Sequence, residues 1–125
     1  MRKILIIDDE EDLTFFVKAN LELCGDYEVI VANSGKDGLK LASSFRPHVI
    51  LLDIMMPNMD GYQVLEKIKK SNATLNIPVI MLTAKGDMES KIKAASLYDE
   101  DYLVKPVQIE TLKDKISTVL MRRGL

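Results

Sequence analysis

The chain has little of the chemistry on which many folds and sites depend. It contains no tryptophan, one cysteine and one histidine in 125 residues. With Cys24 alone, no internal disulfide can form, and Cys24 with His48 cannot assemble a Cys/His zinc centre. Freedom from disulfides fits a reducing compartment, and a cytoplasmic location is expected. Neither sign of charge dominates, since the net charge is −2, which argues against direct nucleic-acid binding by this domain. The basic residues are scattered apart from Arg122-Arg123, a pair better suited to a helix C-terminus than to a DNA backbone. Long apolar runs are missing too. The run Ile4–Ile7 behind the basic start is cut off by Asp8-Asp9, too short for a signal sequence or a membrane span. There is no repeat, linker or low-complexity stretch. The remainder is ordinary globular composition, 47% hydrophobic and 29% charged. It predicts one domain over 1–125 with its core at about 3–120, and no effector domain after the last helix.

The most informative stretch is His48–Gly61, HVILLDIMMPNMDG. An apolar run, then Asp53, then a Pro57-Asn-Met-Asp60-Gly61 break reads as a strand buried on both faces. Ile4–Ile7 reads as a first strand. Five acids, Asp8 to Asp12, then lead into a helix with apolar residues at Leu13, Phe16, Val17, Leu21 and Cys24, stopped at Gly25. Tyr27–Ala32 is a second strand, and Asn33-Ser34-Gly35 a turn and cap for a second helix ended by Pro47. Beyond Asp60-Gly61, Val64, Leu65 and Ile68 define a third helix with Lys67, Lys69 and Lys70 outward and at its end. Ile77–Leu82 is a fourth strand, and Gly86-Asp87 opens a fourth helix carrying Met88, Ile92 and Ala95. Tyr102–Val104 is a fifth strand, and Ile109 to Leu120 a last amphipathic helix. Strict alternation of strand and helix with short connections predicts an α/β, doubly wound (βα)5, flavodoxin-like parallel sheet of order 2-1-3-4-5.

In such a sheet, ligands bind beyond the carboxyl ends of the strands. The residues leaving those ends are Asp8-Asp9, Asp53, Thr83 and Lys105. Clustered carboxylates repel one another, and a hard divalent cation such as Mg²⁺ relieves this with oxygen ligands and retained waters. Acids, a cation, a hydroxyl and an ammonium describe a site for a phosphoryl group, with Asp53 as the candidate nucleophile.

These residues carry a resemblance. ILIIDDE at Ile4–Glu10, VILLDIMMPNMDG at Val49–Gly61, PVIMLTA at Pro78–Ala84 and DYLVKP at Asp101–Pro106 resemble the receiver domain of a two-component response regulator, from Lys3 to about Val119. The resemblance implies that Asp53 is the phosphoacceptor, that Asp9 and Asp53 touch Mg²⁺ directly and Asp8 through water, and that the Met55 carbonyl completes the protein's ligands. It implies that Lys105 pairs with Asp53 at rest and with phosphoryl oxygens afterwards, that Thr83 hydrogen-bonds the phosphoryl group, and that Tyr102 is the aromatic switch. The Lys105–Pro106 peptide is then expected to be cis. The implied partners are a sensor histidine kinase or phosphotransfer protein and an output protein of unknown identity. The implied state is a monomer that pairs on phosphorylation. In one place the chain departs from the pattern: Tyr98-Asp99 stands where the family usually has glycine then alanine, and tyrosine is a poor left-handed cap.

Three other readings use the same fold. A Mg²⁺-dependent phosphohydrolase with an aspartyl-phosphate intermediate needs a general acid two residues past the nucleophile, where this chain has Met55. A flavin carrier needs a hydroxyl- and glycine-rich loop after the first strand, where this chain has Asp8-Asp9-Glu10. A receiver-like fold used only for interaction remains the third. A phosphoacceptor switch, not a turnover enzyme, is the expectation.

Overall fold

The computed structural model describes residues 1–84 and 100–124. Five strands run parallel: β1 (Arg2–Ile7), β2 (Tyr27–Ala32), β3 (Val49–Asp53), β4 (Val79–Thr83) and β5 (Asp101–Val104), in the order β2-β1-β3-β4-β5. Four described helices cover the sheet: α1 (Glu11–Leu23), α2 (Gly35–Phe45), α3 (Gly61–Lys70) and α4 (Ile109–Arg122). The helix expected from Gly86 onward, and the Tyr98-Asp99 departure, lie outside the described residues. The doubly wound order predicted by the alternation is present.

Strand side chains alternate between faces, so each central strand feeds two cores. Ile4, Ile6, Leu51 and Ile80 pack with Val17 and Leu21 of α1 and Leu112 and Ile116 of α4. Leu5, Ile7, Ile50, Leu52 and Met81 pack with Ala42 of α2 and Val64, Leu65 and Ile68 of α3. β3 and β4 are buried along their whole length, which is why they read as continuous apolar runs. Fully burying one such Leu or Ile contributes roughly 1.5–3 kcal/mol.

The helix starts obey local chemistry. Ser34 accepts a hydrogen bond from the Asp37 N–H. Asp60 and Gln63 form a reciprocal capping box, at 2.9 Å each way. Gly25 takes φ +78° just past α1, the left-handed conformation a glycine adopts without strain. Asn58 sits at φ +69° in the turn after β3, a conformation asparagine tolerates better than most residues.

Two expectations need correction. Phe16 and Cys24, expected on the buried face of α1, are exposed, and Thr14 is buried instead. Thr14 donates its hydroxyl to the Glu11 carbonyl, so its polar atom is satisfied within the helix and the methyl can face inward. Lys69, expected outward, turns in. Its side chain is 10% exposed and pairs with Glu100, which is 5% exposed. Arg122 does stand in the last turn of α4 and Arg123 caps that helix, as expected of a basic pair at a helix C-terminus. Arg122 reaches Asp101 at 3.0 Å and Arg123 the Asn76 carbonyl at 2.9 Å, tying α4 to the strands' amino edge.

His48 extends the sheet at that edge. Its N–H donates to the Lys3 carbonyl at 2.8 Å, and its Nδ1 accepts the Lys3 N–H at 2.9 Å. Only a neutral ring can accept there. Burial, with Arg2 and Lys3 nearby, lowers the pKa of His48. The neutral ring is therefore favoured on folding, and its contribution is full above the ordinary histidine pKa and is lost as pH falls through the lowered one. His48→Ala is expected to cost about 1 kcal/mol, the worth of one net hydrogen bond. Urea unfolding should show that cost at pH 7.5 and show it fading on acidification; a pH-independent cost would exclude the ring's acceptor role.

Candidate functional site

The site forms where the carboxyl ends of β1, β3, β4 and β5 meet. At the end of β1, Asp8 is fully buried. Its N–H donates to the Ala32 carbonyl at 3.0 Å, and its own carbonyl accepts from Asn33 Nδ2 at 2.8 Å. Its Oδ1 accepts the Glu10 N–H at 2.9 Å, which bends the chain from strand into α1. Asp53 closes β3 and is 4% exposed. Its register partner is Leu82, and the next N–H, of Ile54, bonds the Leu82 carbonyl at 3.2 Å. Thr83 ends β4, fully buried, and its carbonyl accepts the Lys105 N–H at 2.7 Å. That bond carries the β5 backbone one residue further and delivers Lys105 to the cluster. The Lys105–Pro106 peptide is cis.

The turn after Asp53 is held close by Gly61. A Cβ at Gly61 would lie 2.3 Å from the Asp53 carbonyl oxygen and 2.6 Å from the Ile54 Cα, both backbone atoms that cannot yield. Only glycine lets the start of α3 press against the end of β3, and its N–H bonds the Ile54 carbonyl at 2.8 Å.

One ammonium serves three carboxylates. Lys105 Nζ lies 2.7 Å from Glu10 Oε1, 3.0 Å from Asp8 Oδ2 and 3.2 Å from Asp53 Oδ1. The electrostatics reflect this ratio. Burial first, and then the Asp8 charge, push the Asp53 carboxyl up from 3.8 to about 6, against Lys105 and the Met55 N–H that bonds it. Burial likewise raises Asp8, opposed by the Glu10 N–H and Lys105. Burial pulls the Lys105 ammonium down, but the bond to Glu10 and the close charges of Asp8 and Asp53 outweigh that and hold it above the ordinary lysine range.

The donor set suits a hard cation. Oxygens of Asp8, Glu10 and Asp53 lie within 4.8 Å of one another. Asp8 Oδ2 is buried with no hydrogen bond of good alignment, its Lys105 contact being an ion pair off the bonding direction. Oxygen-only donors, two of them buried, fit Mg²⁺ rather than a softer metal. Asp9, expected as a direct ligand, is exposed and outside this set, and Glu10 takes the third place in it. Glu10 was not singled out from the sequence; its signal was its position two residues past Asp8 in an acidic run read as helix-start charge. Thr83 Oγ1 is buried at the end of β4, without a hydrogen-bond partner among the described residues. Met55 is 68% and Tyr102 40% exposed, Tyr102 lying opposite Met81 in the sheet.

The family model for the response regulator receiver domain matches residues 4–117. The chain belongs to that family. The receiver domain is 38% identical over 122 residues to the DNA-binding dual master transcriptional regulator RpaA of Synechocystis, covering 98% of this chain and 50% of that one. It is 36% identical to the alkaline phosphatase synthesis transcriptional regulatory protein PhoP of Bacillus subtilis, covering 97% and 49%. The chain thus spans about half the length of these curated relatives. Among solved structures it resembles a response regulator receiver domain protein from Clostridium thermocellum, with a TM-score of 0.90, 33% identity, and 99% and 98% of the two chains covered. Among the described residues, no helix of the receiver domain is long and apolar enough to cross a membrane.

Proposed function

We propose that this receiver domain is a phosphoacceptor switch in which Asp53 takes a phosphoryl group from a phosphohistidine on a sensor kinase or phosphotransfer protein. The observation that carries it is that, among the described residues, a buried carboxylate, Asp53, pairs with one ammonium, Lys105, and Thr83 holds a buried hydroxyl without a hydrogen-bond partner. Asp53 Oδ attacks phosphorus in line. One P–O bond forms, the donor's P–N bond breaks, and its electron pair returns to the imidazole. The product is an acyl phosphate carrying roughly two negative charges and strong acceptor oxygens. Lys105, within reach of Asp53, is suited to neutralise those oxygens, and Thr83 Oγ1 to donate to them.

Mg²⁺, held by Asp8, Asp9 and Asp53 with the Met55 carbonyl, would supply positive charge to the transferring group. Asp8 and Asp53 have already met the cost of gathering oxygen donors in a buried place. Thr83 moving onto the phosphoryl group leaves space for Tyr102 to enter, which biases an equilibrium between two conformations. Moving it from mostly off to mostly on takes about 3–5 kcal/mol, within the range of two or three charge-assisted hydrogen bonds. Hydrolysis by water resets it, so the domain is a switch and not a turnover enzyme. Its curated relatives are transcriptional regulators, which favours control of transcription as the output. A cytoplasmic setting, with a monomer that pairs when phosphorylated, completes the proposal.

Intact-mass spectrometry after incubation with a small acyl-phosphate donor tests it. One phosphoryl adduct is expected with Mg²⁺, and none with chelator or in Asp53→Asn. An adduct that survives in Asp53→Asn would overturn the assignment of the acceptor.

A further inference from the structure

We infer that Glu10 is a positioning residue that detains Lys105 in the resting domain and sets how readily the switch is thrown. This deepens the phosphoacceptor role proposed above and rests on it. Three observations carry it. Of the three carboxylates around Lys105 Nζ, that of Glu10 is nearest, 2.7 Å against 3.0 Å for Asp8 and 3.2 Å for Asp53. Glu10 is the N-cap residue of α1, yet its side chain caps nothing and reaches instead to Lys105. Its backbone is pinned by the 2.9 Å bond from its N–H to Asp8 Oδ1, which aims the side chain from a fixed base.

The Glu10 carboxylate is also the exposed member of the set, 61% accessible against 0% for Asp8 and 6% for Asp53. It can let go of Lys105 and return to water at small cost. Asp8 and Asp53 have no such exit. When new acceptor oxygens arrive on Asp53, Lys105 must turn toward them and away from Glu10. An interaction made in the resting arrangement and broken in the switched one favours the former by its own worth. An ion pair with one exposed partner is worth about 0.2–1 kcal/mol, so its loss changes the equilibrium by about 1.4- to 5-fold.

Charge and reach can be separated. Glu10→Gln removes the charge; Glu10→Asp keeps the charge but shortens the arm by one methylene, so it no longer reaches Lys105. Beryllofluoride with Mg²⁺, a phosphoryl mimic, is titrated into wild type and both variants and followed by amide NMR shifts. The expected result is that both variants bind the mimic about 1.4- to 5-fold more tightly than wild type, and that the gain disappears when Lys105→Ala is added. If Glu10→Asp matches wild type while Glu10→Gln gains, the effect is charge alone and the positioning role is overturned. Unchanged affinity in both variants, or a gain that persists with Lys105→Ala, overturns it as well. Wild type that takes up no mimic would remove the phosphoacceptor role, and this inference with it; wild type that does so, with the variants unmoved, removes this inference alone. In chelator, a double-mutant cycle on Glu10 and Lys105 read by urea unfolding should give a non-zero coupling, and a coupling of zero would deny that the pair forms in solution.

Discussion

Lys69→Met is expected to lower the unfolding free energy by about 3–5 kcal/mol, the cost of breaking a buried ion pair from one side. Lys69 leaves the last turn of α3 and turns inward, where it meets Glu100 and donates to the Ile77 carbonyl at 3.0 Å. Glu100 uses its other oxygen to accept the Val79 N–H at 3.1 Å, at the first residue of β4. Methionine fills much the same volume, so no large cavity opens. The substitution instead strands the Glu100 carboxylate, 5% exposed, with one N–H and no counter-charge among the described residues. The pair also joins three elements at the amino edge of the sheet: α3, the start of β4 and the approach to β5. The loss should therefore fall on the cooperative transition, as a lower urea midpoint at unchanged slope. Lys69→Met with Glu100→Gln should recover much of the stability, because a neutral amide is far cheaper to bury than an unpaired charge. A Lys69→Met protein as stable as wild type would mean that the pair is solvated in the working molecule.

That pair marks where the sequence was hard to read. The strands were legible because β3 and β4 are buried on both faces and so are written as unbroken apolar runs. The sheet order came from strict alternation. Asp8, Asp53, Thr83 and Lys105 were legible as a group because each directly follows or ends a strand, and parallel strands bring their carboxyl ends to one edge. Lys69 was not, because a lysine among Lys67 and Lys70 looks like a solvated helix end. Its inward turn depends on Glu100, a distant residue in sequence whose position only the folded sheet fixes. Glu10 was obscured in the same way: within five consecutive acids, nothing local distinguishes the one that reaches Lys105. Phe16 misled through its apolarity. The phase of α1 is set by Val17 and Leu21, and Thr14 satisfies the third inward position once its hydroxyl bonds its own helix.

Asp53→Asn is expected to stabilise the metal-free domain at neutral pH, by about 2–3 kcal/mol for a carboxyl moved from 3.8 to about 6. The folded protein holds a proton on Asp53 more tightly than the unfolded chain does. Wild-type stability from this group is therefore fully present below about pH 4 and is lost as pH rises through about 6. Asparagine removes the charge and keeps the shape, so its advantage should be largest at pH 7.5, shrink through pH 6 and vanish near pH 4. Lys105 loses its most distant partner but keeps Glu10 and Asp8, so no charge is stranded. Urea unfolding in chelator between pH 4 and 8 reads this directly. No gain at pH 7.5, or a gain that does not decline in acid, would mean that Lys105 already compensates Asp53 fully. The same experiment with added Mg²⁺ separates burial from repulsion. A cation that binds only the folded form stabilises it by mass action, and it should do so for wild type far more than for Asp53→Asn, which offers one oxygen charge fewer. A carboxylate that weakens its own fold until a cation or a phosphoryl group arrives is a poor structural element. On the proposed reading, its place at the end of an otherwise apolar strand follows from the phosphoryl group it would accept, not from what it holds together.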